Sequence, residues 1–119
     1  MKENILKDKS FRFSIRIVKL SQFLNTDKKE YIISKQIIRS GTSVGAMVRE
    51  AEYAESKADF IHKLNIALKE ANETEYWLDI LYETEYIEKD IYNSLIFDIK
   101  ELLKLLISTI KTTKKNMKK

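Results

Sequence analysis

An apolar residue every three or four positions, sustained for most of the chain, is the feature of this sequence that most limits its fold. Ile33, Ile37, Ser40, Val44, Met47, Ala51 and Ala54 follow one another at 4-3-4-3-4-3 spacing, and Phe60, Leu64, Ala67, Ala71, Thr74, Leu78 and Leu81 keep the same rhythm. Residues three and four apart share one side of an α-helix, so each run reads as a helix with a buried stripe. Phe13, Ile17, Leu20 and Leu24 form a third stripe, widened by Phe11, Ile15 and Val18. Ile91, Leu95, Leu102 and Leu105 form a fourth, beside a second row from Tyr92 to Ile110. The spacing predicts helices over about residues 10–24, 28–54, 57–82 and 88–111, in a single domain spanning 1–119 with a basic C-terminal tail at 111–119. The chain has no proline and only two glycines, which removes the turn residues that a many-stranded fold requires. Connections of a few residues make consecutive helices antiparallel neighbours. The expected fold is therefore all-α: an antiparallel up-down-up-down four-helix bundle.

The predicted boundaries carry capping signals. Thr26 or Asp27 can cap the second helix, with Glu30 completing a box from Asp27. Ser56 is placed to cap the third, with Asp59 three residues on.

The same inventory excludes most chemistry. Without cysteine there is no disulfide, thiolate nucleophile or cysteine-type zinc site. A di-metal bundle needs a Glu-x-x-His pair from each of two helices, and this chain has one histidine, His62. His62 reads as a polar-face residue. The carboxylates at Glu70, Glu73 and Glu75, and at Glu83, Glu85, Glu88 and Asp90, read as solvated helix surface. Asn72 and Glu75 flank the apolar stripe and are the two placed for buried polar contacts between helices. No catalytic set, metal set or cofactor site is expected. The longest uncharged run, Ser40 to Val48, is nine residues, against about 20 for a membrane span. Residues 1–10 carry Lys2, Glu3, Lys7 and Asp8 and lack the apolar core of a signal peptide, so the expected location is the cytoplasm.

Two features within the second helix need a reason. Gly41 and Gly45 sit inside a helical pattern, where each costs about 1 kcal/mol against alanine. With Ser40 and Ser43 they suit close helix approach or a local kink. A ligand lying on the bare backbone is the alternative. Arg39 and Arg49 flank this segment. Each must pair with a carboxylate such as Glu50, Glu52 or Glu75, or be presented to a ligand, and the ion pair is the expected use.

Charge is distributed unevenly. Residues 1–20 hold six basic side chains against two acidic, residues 41–100 hold six against thirteen, and residues 111–119 hold five lysines and no acid. Basic ends suit contact with phosphate backbones, which needs cations and no base code. Arg12, Arg16, Lys19, Lys111, Lys114, Lys115, Lys118 and Lys119 are the residues that would make it. The bland reading of the tail is a solvated, frayed end whose lysines suit the helix dipole. The acidic middle favours the other function class, a protein-interaction or scaffold module without nucleic acid.

The segment Gln36-Ile37-Ile38-Arg39-Ser40-Gly41-Thr42-Ser43-Val44-Gly45-Ala46, with Arg49-Glu50-Ala51, resembles the signature of the bacterial ribosomal RNA intervening-sequence proteins, a four-helix-bundle family. Ser56 to Ile61 and Ile66 to Leu78 carry the likeness further, and it spans residues 9–110. The resemblance implies a bundle assembled as a homopentamer, without established enzymatic activity. It also implies kinship with accessory proteins of diversity-generating retroelements, whose basic surfaces bind nucleic acid and a reverse transcriptase. RNA or DNA and a protein partner are the partners it suggests, with RNA favoured. One position departs from the family pattern. Met47 stands where asparagine is usual, and it replaces an inward hydrogen bond with adaptable apolar packing.

Overall fold

A computed structural model describes residues 2–118, with side chains described from Ile5 onward. Four helices, α1 (Lys2–Thr26), α2 (Ile32–Glu52), α3 (Lys57–Glu83) and α4 (Lys89–Met117), run up, down, up and down, and no strand occurs among the described residues. Each packs on its sequence neighbours, and α1 closes the ring against α4. The result is a rod of 52 × 22 × 20 Å.

The core is built from the predicted stripes. Phe13, Ile17 and Leu24 of α1, Ile37 and Val44 of α2, Leu64, Ala71 and Leu78 of α3, and Leu95, Ile99 and Leu106 of α4 are all buried. Sequestering such aliphatic and aromatic side chains is the main stabilising term. Two interhelical hydroxyl pairs run through this apolar interior. Ser21 Oγ lies 2.7 Å from Ser34 Oγ, and Thr74 Oγ1 donates to Ser40 Oγ at 2.9 Å. No buried side-chain polar atom lacks a partner among the described residues.

The glycines take the close-approach reading. The α2 helix runs unbroken through both. A Cβ on Gly41 would lie 2.8 Å from both Cγ atoms of Ile17, so α1 occupies the space a side chain would need. At Gly45 the neighbours are Ser14 Oγ at 3.0 Å and the Ser10 carbonyl oxygen at 3.1 Å. The backbone at Gly41 is thus covered by α1. Met47 is half-buried against the core, as its inward register requires.

Three helix boundaries differ from the sequence expectation. The α1 helix begins eight residues earlier than 10, because Leu6 sits one heptad before Phe13 and is buried with it. The α2 helix begins at Ile32 rather than 28, because Lys29 adopts a left-handed conformation with φ 55° that a helix cannot contain. Its start is capped by Glu30, not by Thr26 or Asp27. The buried Glu30 carboxylate accepts the N–H groups of Ile32, Ile33 and Ser34 at 3.2, 3.1 and 2.8 Å. A carboxylate is the charge that a helix N-terminus favours. The third difference is at α4, which continues to Met117 instead of ending near 111. Its last buried apolar residue is Ile110, and beyond it lysines complement the C-terminal dipole while Thr113 bonds back to the Thr109 carbonyl. The frayed-tail reading is therefore corrected. At α3 the expected cap is present: Ser56 Oγ accepts the Asp59 N–H at 3.0 Å.

Candidate nucleic-acid interface

Lengthening α4 changes what the C-terminal lysines are. On a helix, residues 104, 111, 115 and 118 fall near one line, since steps of seven, four and three return to the same side. Lys104, Lys111, Lys115 and Lys118 are all exposed, on the side away from buried Leu95, Ile99, Leu102, Leu106 and Ile110. They span roughly 21 Å at 1.5 Å per residue. None of the four has a partner among the described residues. Lys114 is exposed on the flank of this line, and Lys119 lies outside the described residues. Lys104 is absent from the sequence-based set, because a helix ending at 111 does not carry its line on to Lys115 and Lys118.

The N-terminal cations do not join this line. Arg12 pairs with Asp8 one turn back, Nε to Oδ2 at 3.1 Å. Arg16 donates to Asp98 at 2.6 Å and to the Ser94 carbonyl oxygen at 3.4 Å, tying α1 to α4. Asp98 precedes Lys111 by thirteen residues, roughly 20 Å along the axis. Of the three α1 residues, only Lys19 is exposed without a partner among the described residues.

The acidic middle resolves into two groups. Most of its carboxylates are engaged. Glu50 holds Lys63, Glu52 holds Lys7, Glu75 holds Lys100, and Glu70 with Glu73 brackets Arg39. Asp79 accepts the Tyr92 hydroxyl at 2.6 Å, which, with partial burial, pushes the phenol up to about 12. Of the rest, Glu55 and Asp59 sit at the α2–α3 connection, where Asp59 accepts the Glu55 N–H at 3.2 Å, and Glu83, Glu85, Glu88 and Asp90 crowd the α3–α4 connection. That is the opposite end of the rod from the lysines, roughly 32 Å from Asp90 to Lys111 along α4.

The remaining signature residues divide between packing and surface. Arg39 forms the expected ion pair, with Glu70 and Glu73 rather than Glu50, Glu52 or Glu75. The Glu70 hydrogen bond raises the guanidinium pKa further, and Trp77 Nε1 donates to Glu73 at 2.9 Å. Ser43 Oγ donates to the Arg39 carbonyl at 2.7 Å. Asn72 is exposed, so it makes no buried contact between helices, whereas Glu75 reaches Lys100 at 3.2 Å. His62 is exposed, and no group of metal-ligating side chains occurs among the described residues. Arg49 has no carboxylate partner among the described residues. Its guanidinium lies over the Phe11 ring, 5.7 Å from the centroid. Phe11, Ile15 and Val18 form an outward apolar stripe on α1, more than a third exposed at each position. No helix among the described residues is long and apolar enough to cross a membrane.

Fold and surface together define a class: a four-helix bundle with an unpaired cationic helix face, an acidic opposite end and a solvent-facing apolar stripe. The chain belongs to the 23S rRNA-intervening sequence protein family, whose model matches residues 2–108. It is similar to a crystal structure of a protein of unknown function from the S23 ribosomal protein family of Bacteroides thetaiotaomicron VPI-5482. The two are 62% identical over 93% of this chain and 99% of that one, with a TM-score of 0.92. No curated protein matches this chain.

Proposed function

We propose that this protein is a non-enzymatic homo-oligomer that binds nucleic acid, RNA above DNA, through the lysine line of α4. The observation that carries the reading is a row of four exposed, unpartnered lysines, three on one face of α4 and Lys118 at its C-cap. A linear array of fixed cations suits a polyphosphate backbone and displaces its counterions. The family name supports RNA as the polymer. The α1 stripe of Phe11, Ile15 and Val18, with Arg49 above Phe11, supports self-association, since large apolar side chains and arginine are enriched at interface cores. A pentamer, as the family resemblance implies, would multiply the lysine line fivefold and raise avidity without new contacts.

The test measures RNA binding by fluorescence anisotropy across a salt series. Replacing Lys104, Lys111, Lys115 and Lys118 with glutamine should lower the slope of log affinity against log salt by roughly three. An unchanged slope sinks the interface. Light scattering on the same protein should give a mass near five subunits, falling to one subunit with Phe11→Glu and Ile15→Glu. A second reading, a protein-interaction module without nucleic acid, rests on that same apolar stripe. It is favoured if the oligomer forms and no RNA binds.

A further inference from the structure

The side of α4 that carries the lysine line also carries one aromatic ring. Phe97 precedes Lys104 by seven residues, and Lys104 precedes Lys111 by the same step. The three therefore fall near one line, with steps of roughly 10 Å along the axis. Phe97 is 69% exposed, the most exposed of the five phenylalanines. Its ring enters no aromatic pair and no cation–π contact among the described residues. The residues one helical turn to either side, Asn93, Ser94, Lys100 and Glu101, are all polar or charged. Subunit-interface cores are depleted of charge, so this solitary ring differs from the continuous apolar stripe of α1. Its ionic neighbours are already neutralised: Lys100 holds Glu75 and Glu101 holds Lys9, each at 3.2 Å. Seven residues before the ring, Asp90 is exposed and makes no ion pair among the described residues. In order along α4, the face presents a free carboxylate, a bare ring and a run of free lysines.

We propose, resting on the nucleic-acid reading of α4, that Phe97 is a stacking platform for an unpaired base, so that the strand on the lysine line is single-stranded where it meets the ring. Phosphates lie on Lys104, Lys111 and Lys115, and the next base toward the acidic end lays its face on Phe97. Aromatic side chains set in a cationic track hold single strands in this way, and any base serves because every base has a π-face. Splayed, unstacked bases are open to such a ring, whereas a duplex keeps its bases paired and stacked on one another. Asp90 repels a further phosphate, which ends the track one step beyond the ring. Stacking adds affinity without displacing counterions, so losing it weakens binding and leaves the salt slope alone.

The probe is a mixed-sequence RNA strand of about twelve nucleotides, within the usual span of single-strand sites. It is read by fluorescence anisotropy over a salt series, beside its duplex with the complement and an abasic strand of equal length. Phe97→Ala should weaken the single strand roughly tenfold at every salt concentration, with the slope unchanged. Its affinity for the duplex and for the abasic strand should match that of the natural chain. Phe97→Leu, apolar without a π-face, should lose nearly as much, and Phe97→Trp should bind at least as tightly as the natural chain. Tyr76→Ala removes a ring on α3 that is 57% exposed and off the lysine line, and should leave binding as it is. Circular dichroism checks that the variants fold, and light scattering reads their mass. Unchanged single-strand affinity for Phe97→Ala, with the lysine variant still lowering the salt slope, overturns the platform and leaves the lysine line standing. Equal losses on single strand, duplex and abasic strand overturn it too, as does a lower oligomer mass for Phe97→Ala, which would assign the ring to a subunit contact. If the natural chain binds no strand at all, the lysine line falls and the platform with it.

Discussion

Gly41→Ala isolates how tightly α1 and α2 are packed. Alanine is the better helix former by about 1 kcal/mol, so on propensity alone the substitution stabilises. The added methyl, however, would sit 2.8 Å from both Ile17 Cγ1 and Cγ2, well inside contact distance. These atoms branch from the Cβ of a fully buried side chain and have no free end to swing away. Overpacking of this kind costs about 1–3 kcal/mol. The net expectation is a loss of about 1 kcal/mol, a fall of roughly 4 °C in melting temperature for a domain of this size. Truncating the neighbour reverses the sign. Ile17→Ala alone costs about 2–5 kcal/mol through lost burial and the cavity left behind. In that background the clash is gone, and Gly41→Ala should stabilise by up to about 1 kcal/mol. Urea unfolding of the four proteins in this double-mutant cycle reads the coupling directly. A stabilising Gly41→Ala in the natural background, or the same effect in both backgrounds, refutes the packing argument.

Two more perturbations have determined signs. Glu30→Ala removes the acceptor for three N–H groups at the start of α2 and should cost about 1–2 kcal/mol in urea unfolding, whereas Asp27→Ala should change little. Tyr92 has a folded-state pKa raised from 10.0 to about 12, so its contribution is complete below pH 10 and is lost as pH rises toward 12. Relative to Tyr92→Phe, the natural protein should therefore lose stability across that window, and parallel stability curves from pH 9 to 12 would show the Asp79 hydrogen bond to be inert.

The helix registers were legible because the 4-3 spacing reports which residues must share a buried side. The central residues of each stripe, from Phe13 to Leu106, lie where that spacing requires, whereas Phe11, Ile15, Val18 and Ile91, read with the stripes, face solvent because no neighbouring helix covers that side. Boundaries were less legible, since they depend on single residues acting against the pattern. Lys29 in a left-handed conformation and Glu30 bending back onto three N–H groups carry no periodic signal. The end of α4 was missed for a related reason: apolar residues stop at Ile110, but lysine, threonine and asparagine continue a helix on dipole and propensity without burial. The lysine cluster was visible as composition, yet its alignment with Lys104 needed the helix to persist. The Asp8–Arg12 pair was within reach of i,i+4 reasoning. The Arg16–Asp98 pair was not, because it joins residues 82 apart that only the closed ring brings together. Arg39 likewise found its carboxylates one helix away, at Glu70 and Glu73, where α3 passes alongside.

The separation of acid and base along α4 also bears on the kinetics of encounter. A rod whose Asp90 end repels phosphate and whose Lys111–Lys118 end attracts it experiences a torque in the field of any polyanion. It turns before it touches, so collisions are biased toward the lysine-first orientation, and fewer encounters are wasted on the wrong end. Such steering acts over a Debye length and fades as salt rises. The signature of this geometry is an association rate that falls with ionic strength while the intrinsic helical fold is unchanged.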